Sequence, residues 1–280
     1  MNDESTASAH VPPARERLDL RDLRAFCIDM DGVLYRGDAP LPGAREFVEF
    51  LRVRGIPHLF LTNNSTRTPK QYVEKLLGMG IRTQPERILT SALVAVAALA
   101  RVAKPEDRIL LFGSGGIREQ LAISSLTLAD DYTEATYVLA GLDPHVTYEK
   151  LAQVSLAIQR GARFWATNGD LSFPTERGLE PGAGALQAVI TATTGVSPKL
   201  FGKPEPEMFE QALELLGTPP EFTAMLGDRY ETDIVGGKRA GFVTVAVATG
   251  VSSLEDLQRR VPPPDHVFPS VAELRAALDA

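Results

Sequence analysis

The run AFCIDMDGVL, Ala25 to Leu34, decides the fold. Ala25 to Met30 is a short apolar, partly β-branched run, and two acids with Gly32 end it, so it reads as a buried strand feeding a loop. Downstream, Gly43 to Arg54 places Ala44, Phe47, Val48 and Leu51 at helical spacing, and Gly55 follows as a C-terminal cap. Pro57 to Thr62 is a second strand, ending in TNNST, and Thr68-Pro69 opens a helix with Tyr72, Val73, Leu76 and Leu77 on one face. Strand, helix, strand, helix is the pattern of a parallel α/β sheet. A second alternating region begins near Ile88, with helices over 91–103, after Gly113 to Gly116, over 148–160 and over 184–194, and strands over 108–112, 136–140 and 163–167. After Gly195 to Pro198 the first pattern resumes: a helix over 206–216, strands over 223–226 and 244–247, a helix near 233–240 and a last one over 271–278.

Composition narrows the function classes. The 280 residues carry 29 Lys and Arg against 36 Asp and Glu, a formal charge of -7, which argues against a general nucleic-acid binder. Cys27 is the only cysteine and cannot pair within the chain. No apolar run has the make-up of a signal peptide or a membrane helix, since Ala92 to Ala100 is short and Arg101 stops it. A cytoplasmic protein with no membrane partner is the expectation, with residues 1–20 as a disordered N-terminal tail. An acidic chain repels anions at long range, so an anionic substrate needs local compensation.

Function in open α/β sheets gathers beyond the carboxyl ends of the strands. Asp29 and Asp31 follow the first strand, Thr62, Asn63 and Asn64 the second, and Asp228 with Asp233 a later one; Lys203 sits between Gly202 and Pro204. Converging carboxylates repel, and a divalent cation relieves that; oxygen-only ligands suit Mg²⁺. A carboxylate can also attack phosphorus to give an acyl phosphate, and a second carboxylate two residues on can serve the leaving group as acid and then water as base. The metal, Lys203, Thr62 and backbone N–H groups would neutralise the phosphoryl oxygens. Taken singly, each residue has a plainer reading: Asp228 as a turn former or cap, Lys203 as a surface charge, Asn63-Asn64 as a turn. Their joint appearance, each after a strand, favours the chemical reading.

On the motifs DMDGVL (Asp29–Leu34), LTNNS (Leu61–Ser65), GKPEP (Gly202–Pro206) and GDRYETDI (Gly227–Ile234), the chain resembles the haloacid dehalogenase superfamily of phosphohydrolases. Within it, the TNNS and GDR-x-x-TDI forms, with GLD (Gly141–Asp143), ATNGD (Ala166–Asp170) and PGAGAL (Pro181–Leu186), resemble the branch of NagD, p-nitrophenyl, phosphoglycolate and pyridoxal phosphate phosphatases. The resemblance runs from about Arg24 to the C-terminus. It implies Asp29 as nucleophile and metal ligand, and Asp31 as general acid/base with its backbone carbonyl on Mg²⁺. It implies Asp228 as third ligand, Asp233 in support of the metal, Thr62, Asn63 and Asn64 on the phosphate, and Lys203 bridging phosphate and nucleophile. It also implies a Rossmann-like parallel-sheet core, over 21–86 and 197–280, interrupted by a large α/β cap over 87–196. The length from Asn64 to Lys203 agrees, being too long for a simple crossover. The expected activity is Mg²⁺-dependent hydrolysis of a small-molecule phosphate monoester through an aspartyl-phosphate. The alternatives are a phosphotransferase or mutase with the same chemistry, or a phosphoryl-receiver module. A homodimer through the cap would be in keeping with the branch.

In the cap, GDLSFPTER (Gly169–Arg177) corresponds to a loop that reaches the active site in related phosphatases, so Asp170 and Phe173 are candidate substrate contacts. Phe173 stands where the pyridoxal phosphate enzymes place a histidine, which counts against that substrate; it offers a stacking surface or packs inside the cap. FGSGGIREQL (Phe112–Leu121) lacks the full dinucleotide fingerprint and reads as a tight turn. His10, His58, His145 and His266 have no metal-site spacing, and Cys27 and Trp165 read as packing residues.

Overall fold

A computed structural model describes residues 19–175 and 177–280. Two parallel sheets organise it. The first has the spatial order His266–Phe268, Val243–Val247, Thr223–Gly227, Ala25–Asp29, His58–Thr62, Ile88–Thr90. Numbered along the chain, that is 3-2-1-4-5-6 read from the Ile88 edge, the doubly wound order, and its direction reverses between Ala25–Asp29 and Thr223–Gly227. Every pairing is parallel, with Ala25 opposite Thr223 and Phe26 opposite His58. Strands buried on both faces need continuous apolar runs, and Ala25, Phe26, Cys27 and Ile28 are all fully buried.

The second sheet runs Lys199–Leu200, Arg163–Ala166, Tyr137–Ala140, Arg108–Phe112, Thr127–Leu128, also all parallel, which is 2-1-3-4-5 read from the Thr127 edge. Sheet membership differs from the boundaries expected at 87 and 196. Ile88–Thr90 pairs with His58–Thr62 in the first sheet, and Lys199–Leu200 pairs with Arg163–Ala166 in the second. Both are strands of two or three residues at sheet edges, too short to show a period of their own.

The helices follow their sequence signals. Thr68 caps Pro69–Gly78 in a reciprocal box with Gln71, and Pro69 opens its first turn. Ala44–Val53 buries Ala44, Phe47, Val48 and Leu51 against the sheet. Ser91–Val102 carries Ala92, Ala95 and Leu99 into a cluster that also takes in Ile117 and Tyr137 beside the second sheet. Trp165 packs edge-on to Tyr137 and at 4.6 Å from the Phe201 ring, and the Cys27 thiol is pushed up by burial, so both act as packing residues.

Two segments depart from the expected reading. Ser172–Thr175 and Gly178–Pro181 form an antiparallel hairpin where a loop was expected. The helix expected from Asp233 begins earlier as a wide π turn, Tyr230–Ile234, and continues as Val235–Arg239. The expected N-terminal tail, 1–20, lies mostly outside the described residues, and at its end Leu20–Asp22 forms a short helical turn capped by Asp19. Among the described residues no helix is long and apolar enough to cross a membrane.

Candidate active site

The point where the strand order reverses collects the acids. Asp29 is the last residue of its strand, and Asp228 follows Thr223–Gly227 directly. Asp233 comes from the π turn, a helical defect that recurs at functional sites. Here it swings the carboxylate back, so that Asp233 Oδ2 accepts from the Arg229 N–H at 3.1 Å. Asp29, Asp228 and Asp233 each offer an oxygen within 4.8 Å of the others.

Lys203 enters this cluster from the far side of the chain. Its Nζ donates to Asp29 Oδ1 at 2.6 Å and lies 2.6 Å from Asp233 Oδ1, with only 3% of its side chain exposed. The contact with Asp233 lacks hydrogen-bond geometry, and that buried oxygen is left without a hydrogen bond. Burial pulls the ammonium down, but Asp233 and Asp29 more than offset this and hold it above its ordinary range. One cation does not balance three buried carboxylates. Burial, then the charges of Asp29 and Asp233, push Asp228 well up. Burial pushes Asp233 to about 6, against the pull of Lys203. Such a set can hold a divalent cation through oxygen ligands.

Backbone room is reserved around Asp228. A Cβ on Gly250 would stand 1.8 Å from its Oδ2 and one on Gly32 2.6 Å from the same atom, so neither position admits a side chain. The same Oδ2 accepts from the Val251 N–H at 2.7 Å. Thr249 ties this loop to the turn after Asp29 by donating to the Gly32 carbonyl at 2.6 Å.

Asp31 sits outside the three-carboxylate cluster and stays open to solvent. Lost hydration raises its carboxyl, offset by Lys75, Arg229 and Arg36. An acid two residues past Asp29, with its carboxyl raised by lost hydration, suits proton transfer. Its own turn is fixed by Gly32, whose N–H donates to the Tyr35 carbonyl at 2.8 Å.

Thr62 is buried and its hydroxyl accepts from the Asn64 N–H at 3.1 Å. Asn63 Nδ2 donates to the Lys203 carbonyl at 2.9 Å and to Asp170 Oδ2 at 3.1 Å; both partners are acceptors, which fixes the amide orientation. Asn64 is exposed, and its side chain accepts from the N–H and hydroxyl of Thr66, so it serves its own loop. Asp170 thus reaches the core loop from the second sheet. Burial raises it, countered first by Arg229, whose guanidinium is 3.4 Å away, and then by Asn63. Phe173 lies on the hairpin, half-buried and opposite Glu180, and makes no ring contact among the described residues.

Sequence reasoning missed Arg229, Asn168, Gln187 and Val251. Arg229 and Asn168 lie inside the quoted motifs GDRYETDI and ATNGD, so their signal was present. Gln187 sits on a helix, Ala183–Thr194, with no local mark. Val251 contributes a backbone N–H, for which residue type carries no signal.

Residues 26–126 match the family model of haloacid dehalogenase-like hydrolases, and residues 200–274 match a HAD-hydrolase-like model. An acid sugar phosphatase of Staphylococcus aureus is 44% identical over 260 residues, which span 93% of this chain and 100% of that protein. The solved 4-nitrophenylphosphatase of Thermotoga maritima has a TM-score of 0.87 at 35% identity, covering 92% of this chain and 98% of its own. NagD of E. coli K-12 has a TM-score of 0.83 at 30% identity, covering 90% and 98%.

Proposed function

Because this chain belongs to the haloacid dehalogenase-like hydrolases, in their NagD-like branch, and is a phosphatase of phosphate monoesters, we propose that Asp29 is its nucleophile. The observation that carries this is the placement of Asp29 at the strand end, with Oδ1 held by Lys203. Asp29 would attack phosphorus and the ester oxygen would leave, taking the proton of Asp31. Asp31, now a base, would remove a proton from the water that cleaves the acyl phosphate, which returns both carboxyl groups to their starting states. Lys203 keeps Asp29 oriented and places a positive charge beside the phosphoryl oxygens.

The donor set fits Mg²⁺: three carboxylates whose oxygens lie within 4.8 Å of one another, with no nitrogen or sulfur among them. Asp29 and Asp228 would hold the ion directly, with Asp31 adding its backbone carbonyl and Asp233 completing its surroundings. When bound, Mg²⁺ would offset the carboxylate charge and polarise the phosphoryl group.

Thr62 and the N–H groups of the Asn63–Ser65 loop would receive the phosphate. The unit over about 103–200, which begins after the helix Ser91–Val102 and ends with the second sheet's Lys199–Leu200, would act as the cap and exclude water. Asp170, held at the core loop, supports a role for its segment at the leaving group. The substrate would be a small phosphate ester, the kind of compound for which the relatives are named.

Release of inorganic phosphate from p-nitrophenyl phosphate tests the reading. We expect turnover with Mg²⁺ and a fall of at least about 10³-fold in kcat for Asp29→Asn, since nucleophile loss removes the covalent route. Full activity in that variant would overturn it.

A further inference from the structure

A buried chain of amides joins the two sheets, and none of the roles above uses it. Asn168 follows the strand Arg163–Ala166 and is 4% exposed. Its Nδ2 donates to the Asn63 carbonyl at 2.7 Å, and its Oδ1 accepts from the Asp170 N–H at 3.1 Å. Its own carbonyl accepts from Gln187 Nε2 at 2.8 Å, and Gln187 is also buried. A flipped Asn168 amide would set its acceptor against a carbonyl and its donor against an N–H, so the partners fix its orientation.

The Asn63 carbonyl is held from the core side as well, by the Ser91 hydroxyl at 2.6 Å. Asn63 passes the contact on through Nδ2 to the carbonyl of Lys203, whose ammonium holds Asp29. A continuous set of hydrogen bonds therefore runs from the helix Ala183–Thr194 to the nucleophile. The same Asn168 amide holds two backbones, that of Asn63 in the core and that of Asp170 on the other side of the cleft. An apolar residue of equal size could fill the space but could hold neither.

Resting on the reading of Asp29 as nucleophile, we propose that Asn168, seated by Gln187, is a positioning residue that sets the Asn63 backbone and through it Lys203. It touches no reacting atom. Its removal leaves Ser91 alone on the Asn63 carbonyl and frees Asn63 to shift relative to Lys203. A displacement of about 1 Å at reacting groups is costly to the chemical step, whereas loss of a substrate contact acts on KM.

The test compares full-length wild type with Asn168→Ala, Asn168→Asp and Gln187→Leu, on p-nitrophenyl phosphate with saturating Mg²⁺. Asn168→Asp keeps the size and the acceptor but loses the donor. We expect kcat to fall about 10- to 100-fold in both Asn168 variants, as for other residues that orient a reacting shell, with KM within about threefold and a folded thermal transition retained. The double variant Asn168→Ala/Gln187→Leu should lose no more than Asn168→Ala alone, because the two residues act in series. A kcat within twofold of wild type, a loss confined to KM, multiplying losses in the double variant, or failure of both Asn168 variants to fold would each overturn the proposal. Asp29→Asn assayed alongside separates the two readings: activity retained there removes the nucleophile assignment, whatever Asn168 does.

Discussion

Asp228 concentrates the electrostatic problem of the cleft. It is 3% exposed, lies beside Asp29 and Asp233, and has no ion-pair partner among the described residues, while Lys203 is spent on the other two. In the metal-free protein its ionised form is unfavourable, and folding must bear that cost. Asp228→Asn should therefore raise the melting temperature of the metal-free protein, by a few degrees for a gain of roughly 1 kcal/mol, while phosphatase activity is lost. The pH dependence has the same origin. Between the ordinary carboxylate range and about 6, folded Asp233 keeps a proton that the unfolded chain has released. The folded state then binds more protons, so this group's contribution to stability falls as pH rises through that window. Urea titrations in chelator at pH 4.5, 6 and 7.5 should show the decline, and excess Mg²⁺ should flatten it. A metal-free Asp228→Asn protein less stable than wild type would contradict this account. The identities and order of these acids were legible in the sequence, because Asp29 and Asp228 each end an apolar run and Asp233 lies in the same motif as Asp228. Their mutual distances were not, because Lys203 and Asp29 are 174 positions apart.

At the scale of elements, the helix Gly115–Ala122 shows how one unit is seated on the other. Its start packs on the core loop, where a Cβ on Gly116 would stand 2.5 Å from the Ser65 carbonyl oxygen and 2.8 Å from the Arg67 nitrogen. Ser114 also donates to the Ser65 carbonyl at 3.3 Å. The obstacle is backbone, which cannot turn aside as a side chain can. Gly116→Ala should cost about 1–3 kcal/mol, the usual range for overpacking, and should lower kcat because the Asn63–Ser65 loop moves with it. Thermal melting and p-nitrophenyl phosphate turnover measured on one preparation check this; an unchanged melting temperature would show that the loop yields freely. The glycine run of FGSGGIREQL was readable as a tight turn. Its use in close packing was not, because the surface it meets lies about 50 residues earlier. The hairpin Ser172–Pro181 was missed because each strand is only four residues long and contains a proline, Pro174 or Pro181, a residue that counts against a strand.

For the whole molecule, the charge of -7 and an anionic substrate coexist only if the acids of the cleft are offset where the phosphate arrives. Inorganic phosphate, the product, should therefore bind about tenfold or more weakly once Mg²⁺ is removed, a loss of about 1.4 kcal/mol. Calorimetric titration with phosphate, with and without Mg²⁺, measures this, and equal affinities would show that Lys203 and the loop N–H groups suffice. The sequence by itself determined the alternation of strands and helices, the acids at strand ends and the class of chemistry they support. Those features depend on the periodicity of neighbouring residues, which is local. Tertiary structure alone decided the 3-2-1-4-5-6 strand order, the sheet that each short edge strand joins, the meeting of Asp170 and Asn168 with the core loop, and that of Arg229 with Asp170. The pairing of Ala25 with Thr223 and the contact of Asn168 with Asn63 both join segments more than 100 positions apart, and packing energy selects among pairings that local patterns leave equivalent.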